Sequence, residues 1–132
     1  DGKGWYQNYQ GGAIIGTNQT GFWESKGKIR ERWGQLKWQG GEMGYPTGPE
    51  VFDGKGWYQN YQGGAIIGTK STGYWESRGG TRATWASLGY QGSKVGYPTG
   101  PEEYIGDQTW RQTYQNGTIT FSNKTGGRFT HR

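Results

Sequence analysis

The 132-residue chain has no cysteine and a single histidine. The first lack excludes a disulfide framework and any Cys-ligated metal. The second, with His131 as the penultimate residue, excludes Ser-His nucleophilic pairs and His-based metal centres. Aliphatic residues are also scarce: Ile, Leu and Val together with Phe number fifteen, a level that in isolation points toward disorder. No stretch approaches the roughly 20 apolar residues that cross a bilayer. The first residues also lack the basic, then apolar, then small order of a signal peptide, so membrane insertion is not expected. Position 1 is Asp rather than Met, as expected for a processed or excised piece of a longer protein.

Eight Trp, ten Tyr and 28 Gly take the place of the missing residues. Each buried ring removes roughly 150 to 250 Å² from water, so a core built from rings is feasible. The glycines point to many tight turns and short elements. The length fits one small domain or a few repeats sharing a core. The net charge of +5 is dispersed, with Lys26, Lys28, Arg30 and Arg32 interleaved with Glu24 and Glu31. A nucleic-acid reader would show a denser basic face, so no nucleic-acid partner is expected.

The chain repeats itself. A slide of 52 residues aligns 1–52 with 53–104 without a gap, and the segment 1–17 returns unchanged at 53–69. With one residue inserted, 110–127 keeps Trp110, Gln112, Tyr114, Gly117, Ile119, Thr125 and Gly126 as a third, partial copy within 105–132. Self-similarity of this length indicates a repeat architecture. The expected organisation is a single domain, 1–132, built of units 1–52, 53–104 and a partial 105–132.

Within a unit, "WYQNYQ" and "AIIGT" flank Gly11-Gly12, a signal for a β-hairpin. A two-residue Gly-Gly turn would set Tyr9 opposite Ile14 and Gln7 opposite Gly16, with Trp5 on the same side. Tyr6, Asn8, Gln10 and Ile15 would then share the other face. The third copy keeps the first face and makes the second polar through Arg111, Thr113 and Thr120. The first face therefore reads as core, and Trp5, Trp33, Trp57, Trp85 and Trp110 read as core rings. Ile29, Trp33 and Leu36 form the stripe of a short amphipathic helix, as do Thr81, Trp85 and Leu88, with Gly89 as C-cap. "GYPTGPE" at 44–50 and 96–102 has two prolines three apart and reads as a rigid connector. A unit of this size cannot bury its own apolar face and must share it. The expected fold class is α+β and β-rich: tandem pseudo-symmetric units of β-hairpin plus short helix around a shared aromatic core.

Gly-Tyr-Pro-Thr, "YQGGAI", Thr-Gly and "SRGGTRATWASLGY", taken in order, resemble the LGFP repeat of secreted actinobacterial envelope proteins. Its leading motif corresponds to Met43-Gly44-Tyr45-Pro46 and Val95-Gly96-Tyr97-Pro98, and its acidic residue to Glu50 and Glu102. Its Thr-Gly matches Thr20-Gly21, Thr72-Gly73 and Thr125-Gly126. The chain departs from the family pattern at Gly16 and Gly68, where an aromatic is usual, and at Trp23 and Trp75, where His is usual. The resemblance implies a secreted, wall-associated module that binds arabinogalactan or peptidoglycan. It also implies a covalently linked catalytic domain, a mycoloyltransferase or wall hydrolase, elsewhere in the parent protein. It implies no catalysis, and no cofactor or metal.

Sugars present C–H faces that stack on rings and hydroxyls that pair with amides and carboxylates. On that basis the candidate carbohydrate-binding residues are Tyr6, Asn8, Trp23 and Glu24, with their repeats Tyr58, Asn60, Trp75 and Glu76. Gly16 and Gly68 would leave room for a groove. Trp23 and Trp75 stay open between core and ligand platform, and Gln7, Gln59 and Gln112 between backbone partner and ligand contact. A spacer without glycan binding, and a small glycosidase using Glu24 and Glu76 as paired acids, are the competing functions.

Overall fold

A computed structural model of the chain describes residues 4–132; Asp1, Gly2 and Lys3 of the first repeat lie outside them. The first repeat forms strands β1 (Trp5–Tyr9), β2 (Gly12–Thr17) and β3 (Gly21–Ser25), helix α1 (Gly27–Gln35) and a 3-10 turn at Trp38–Gly40. The second begins with a short strand β4 (Val51–Phe52). It continues with β5 (Trp57–Tyr61), β6 (Gly64–Thr69), β7 (Gly73–Ser77), helix α2 (Gly79–Leu88) and a 3-10 turn at Tyr90–Gly92. The partial copy supplies β8 (Glu103–Gly106), β9 (Thr109–Tyr114), β10 (Gly117–Ser122) and β11 (Gly126–His131).

The expected α+β architecture of hairpin-plus-helix units around one shared core is overturned. Among the described residues the chain forms three antiparallel sheets, ordered β1-β2-β3, β4-β5-β6-β7 and β11-β10-β9-β8. The residues divide into two compact units, 1–66 and 67–132, and that division falls within β6. The missed elements are the strands after each Thr-Gly. Thr17 and Thr20 close a tight turn, with the Thr17 amide donating to Thr20 Oγ1 at 2.9 Å and the Thr20 amide to Thr17 Oγ1 at 3.0 Å. Gly21 then takes a left-handed φ of 81° and sends the chain back as β3. Thr69 and Thr72 build the same turn before Gly73 and β7.

The register also differs from the expected one. Gln7 pairs with Ile14 and Tyr9 with Gly12, so the turn is Gln10-Gly11. The slip is two residues, and an even slip keeps every side chain on its expected face. Which faces are covered is another matter. In the first hairpin Ala13 and Ile15 are buried, while Trp5, Tyr9 and Ile14 are exposed, the reverse of the expected assignment. Trp57 is exposed as well and Trp110 only half-buried. The expected core face is buried in the later hairpins, through Gln59, Tyr61 and Ile66 and through Gln112, Tyr114 and Ile119.

The cover comes from the preceding helix and connector. Trp33 and Trp85 are almost fully buried, each removing roughly 150 to 250 Å² from water, or about 4–6 kcal/mol as an upper bound. Their indole N–H groups donate to the carbonyls of Gly44 and Gly96, both at 3.0 Å. Their rings lie 5.5 Å from Tyr61 and 5.6 Å from Tyr114. The buried Gln59 amide donates to the carbonyls of Glu24 and Gly48, and Gln112 to those of Glu76 and Gly100. The connector bonds to β5 and its turn without forming a regular strand: Thr47 N–H donates to Asn60, Gln62 N–H to Tyr45 and Gly63 N–H to Met43. The packing unit is thus a strand, helix and connector closed by the hairpin that follows, out of phase with the sequence repeat.

Candidate functional site

In the first unit a cleft of about 300 Å³ opens beside β1, β2, α1 and the 3-10 turn. Its base is Ala13, Ile15 and Trp33. The pairings Tyr6 with Ile15 and Asn8 with Ala13 put the β1 residues on the same face of the sheet, and both line the cleft. Arg30, Trp38 and Gln39 complete it.

Trp38 reaches the cleft through an unusual backbone. Lys37 and Trp38 both take left-handed φ values, 77° and 58°, which reverse the chain after α1 at a cost of about 1–2 kcal/mol per residue. Ring contacts offset that cost. Trp33 and Trp38 meet edge to face at 5.3 Å, and the Arg30 guanidinium sits 4.9 Å from the Trp38 ring centre. A Cβ at Gly34, in the last turn of α1, would fall 2.7 Å from the Trp38 ring, so this glycine makes room for it. Arg30 also donates to Ser25 Oγ at 3.2 Å, which holds the guanidinium in place.

The second unit repeats the arrangement. Arg82 donates to Ser77 Oγ at 3.1 Å and lies 5.6 Å from the Tyr90 ring, which meets Trp85 edge to face at 5.4 Å. Tyr90 is left-handed at φ 61°. Ala86 stands where the first unit has Gly34, matching the smaller ring of Tyr90. None of Arg30, Trp38 or Gln39 was among the sequence candidates. Their signal was present: aromatic-Gln-Gly follows the helix in both repeats, at Trp38-Gln39-Gly40 and Tyr90-Gln91-Gly92.

The structure separates the sequence-selected residues. Tyr6, Asn8 and Trp23 lie on one face of the first sheet, since Ile15 pairs with both Tyr6 and Trp23. Glu24 lies on the other face, where the Tyr9 hydroxyl donates to it and Lys26 pairs with it at 3.1 Å. These two contacts hold the Glu24 carboxyl below its usual range, and the same bond to Glu24 raises the Tyr9 phenol. Trp23 donates its N–H to the Thr20 carbonyl at 2.7 Å and folds over Gly21; Trp75 does the same with Thr72 and Gly73. Tyr58, half-buried, and Asn60, exposed, stand on β5 in the first unit, where Tyr58 pairs with Val51. In the second unit Glu76 is buried, and its carbonyl accepts from Gln112. Gln59 and Gln112 are backbone partners, and burial pushes the Tyr61 and Tyr114 phenols that donate to them well above their usual range. Gly16 and Gly68 leave no groove: an added Cβ would meet the carbonyl oxygens of Gly21 and Gly73 at 1.8 and 2.0 Å.

A family model for the LGFP repeat matches residues 1–41 and 43–93. The chain belongs to the LGFP repeat family. The second LGFP match opens on the connector at Met43 and runs to the 3-10 turn after α2. It therefore takes in Arg82, Trp85 and Tyr90 as well as the strand β7. The first LGFP match takes in the first hairpin, β3, α1 and the 3-10 turn after it. No curated protein matches the chain.

Proposed function

We propose that this LGFP chain is a non-catalytic module that binds cell-wall polysaccharide. Its ligand would be the arabinogalactan-peptidoglycan layer, on which it would hold a covalently linked, secreted envelope enzyme. The observation that carries this reading is the first-unit cleft, where Tyr6 and Trp38 offer ring faces, Asn8 and Gln39 offer amides, and Arg30 is held in a fixed position. Rings match the C–H faces of a pyranose or furanose, and amides and guanidinium match its hydroxyls. The related Arg82 and Tyr90 cluster in the second unit supports a second weak contact, and two weak contacts on one polymer add avidity. Retention on insoluble arabinogalactan-peptidoglycan tests the proposal. Trp38→Ala should lower retention about tenfold, equivalent to 1.4 kcal/mol, with the circular dichroism spectrum unchanged. Full retention by a folded Trp38→Ala, Arg30→Gln double variant would remove the cleft from the mechanism.

A spacer without glycan binding is favoured by a different observation. The indole N–H groups of Trp23, Trp33, Trp75 and Trp85 all donate to backbone carbonyls of the chain itself. If the folded protein is not retained by the wall polymer at all, that reading replaces the first.

A further inference from the structure

Every hairpin after the first has one face buried by the helix and connector before it. The first hairpin has the same sequence as the second and, among the described residues, no such cover. Tyr9 and Ile14 are 41% and 42% exposed, against 4% and 0% for Tyr61 and Ile66. The edge is open too. β5 and β9 are flanked by β4 and β8, whereas β1 is the edge strand of its sheet among the described residues. Trp57 and Trp110 pack on Phe52 and Tyr104 of those flanking strands, both at 5.1 Å, whereas Trp5 leans on Phe22 of β3 at 5.6 Å. A Cβ at Gly63 would meet the Glu42 carbonyl of the connector at 2.1 Å, but at Gly11 it would meet only the Tyr9 ring, at 3.5 Å.

The geometry points to this face and edge as the acceptor for a further LGFP unit that precedes Trp5 in the same polypeptide. That unit would supply a Trp-bearing helix, a Gly-Tyr-Pro-Thr connector and a short edge strand carrying an aromatic. These groups occupy the equivalent surface of the second and third hairpins, and an exposed patch of Trp, Tyr and Ile needs an apolar partner. A second copy of the chain is a poor donor, because both of its helix-connector segments are already engaged through Gln59 and Gln112. The sequence ahead of β1 argues for attachment in cis. Asp1-Gly2-Lys3-Gly4 repeats Asp53-Gly54-Lys55-Gly56. In the second copy those residues form the turn from β4 into β5, with Asp53 Oδ1 accepting from the amides of Lys55 at 2.9 Å and Gly56 at 2.8 Å.

The test places a second copy of residues 21–52 directly ahead of Asp1 in the full chain, which gives the first hairpin the sequence context of the second. Amide exchange at Gln7–Tyr9 should slow at least about tenfold, and the Trp5 indole N–H resonance should shift in the NMR spectrum. Ile14→Asp in the extended chain should abolish both effects. Unchanged exchange in β1, while the amides of β5 and β9 remain protected and so report a folded chain, would overturn the proposal, as would protection that survives Ile14→Asp. Sedimentation of the unextended chain should show a monomer. A dimer that Ile14→Asp dissolves would assign the face to a second copy and overturn attachment in cis.

Discussion

Glu50 and Glu102 end the same Gly-Tyr-Pro-Thr-Gly-Pro-Glu segment, one in each compact unit, and meet different surroundings. Glu102 is nearly buried and accepts from the Thr81 hydroxyl at 2.5 Å, with Arg78 at 3.4 Å. Thr81 lies in the first turn of α2, where the helix end also favours a negative charge. The positions equivalent to Thr81 and Arg78 in the first unit are Ile29 and Lys26. Ile29 has no hydroxyl to give, and Lys26 pairs with Glu24. Glu50 is half-buried, and burial pushes its carboxyl up, with Glu24 adding to the rise and Lys26 opposing it. A hydroxyl in the first helical turn and an arginine just ahead of it thus separate an anchored carboxylate from a desolvated one.

The comparison can be broken or sharpened by substitution. Trp33→Ala and Trp85→Ala should each cost about 3–5 kcal/mol in chemical denaturation, since both rings fill the same place; a large gap between them would break the equivalence of the units. Gln59→Leu and Gln112→Leu each strand two backbone carbonyls and should cost about 2–3 kcal/mol, while Gln7→Leu, on the uncovered hairpin, should cost next to nothing. Glu102→Gln should destabilise by about 1.5–3 kcal/mol.

Glu50→Gln should do the opposite at neutral pH. Glu50 holds its proton more tightly folded than unfolded, so wild-type stability rises as pH falls from its raised folded value toward the ordinary 4.5, and is lost as pH rises. The Gln variant should lack that slope, and Ile29→Thr, by supplying the missing hydroxyl, should flatten it. The smallest effect is Tyr9→Phe. It should leave the melting temperature unchanged and let the Glu24 carboxyl rise toward its ordinary value, as read by NMR titration.

The contrast between hairpins also explains what the sequence revealed. Period and turn residues identify the hairpins and the face of each side chain, and the Trp and Ile stripe of α1 is visible at Ile29 and Trp33. Period does not say whether a face has a neighbour. Tyr9 and Tyr61 sit in identical strings, yet only Tyr61 lies under a Trp. The strands β3 and β7 were read as ligand segments because Trp-Glu is suggestive chemistry, whereas the Thr-Gly ahead of them carries the turn that makes them strands. Arg30 and Trp38 escaped notice because two consecutive left-handed residues, Lys37 and Trp38, bring the ring back over its helix, and neither residue type advertises that conformation.

Near-identical neighbours carry a folding hazard, since a helix can capture the hairpin of the wrong copy during folding. One pair of positions in the second unit discriminates against this error. The Phe121 ring fills the space that a Cβ on Gly80 of α2 would need, 2.2 Å from the nearest ring carbon. The equivalent helix position in the first copy is Lys28, and the equivalent strand position in the second copy is Gly68. Docking the third hairpin on α1 would drive Phe121 against the Lys28 stem, so the misassembled form would start with a steric penalty. Gly80, in the first turn of α2, thereby admits a ring that the side chain at the equivalent position of α1 would exclude.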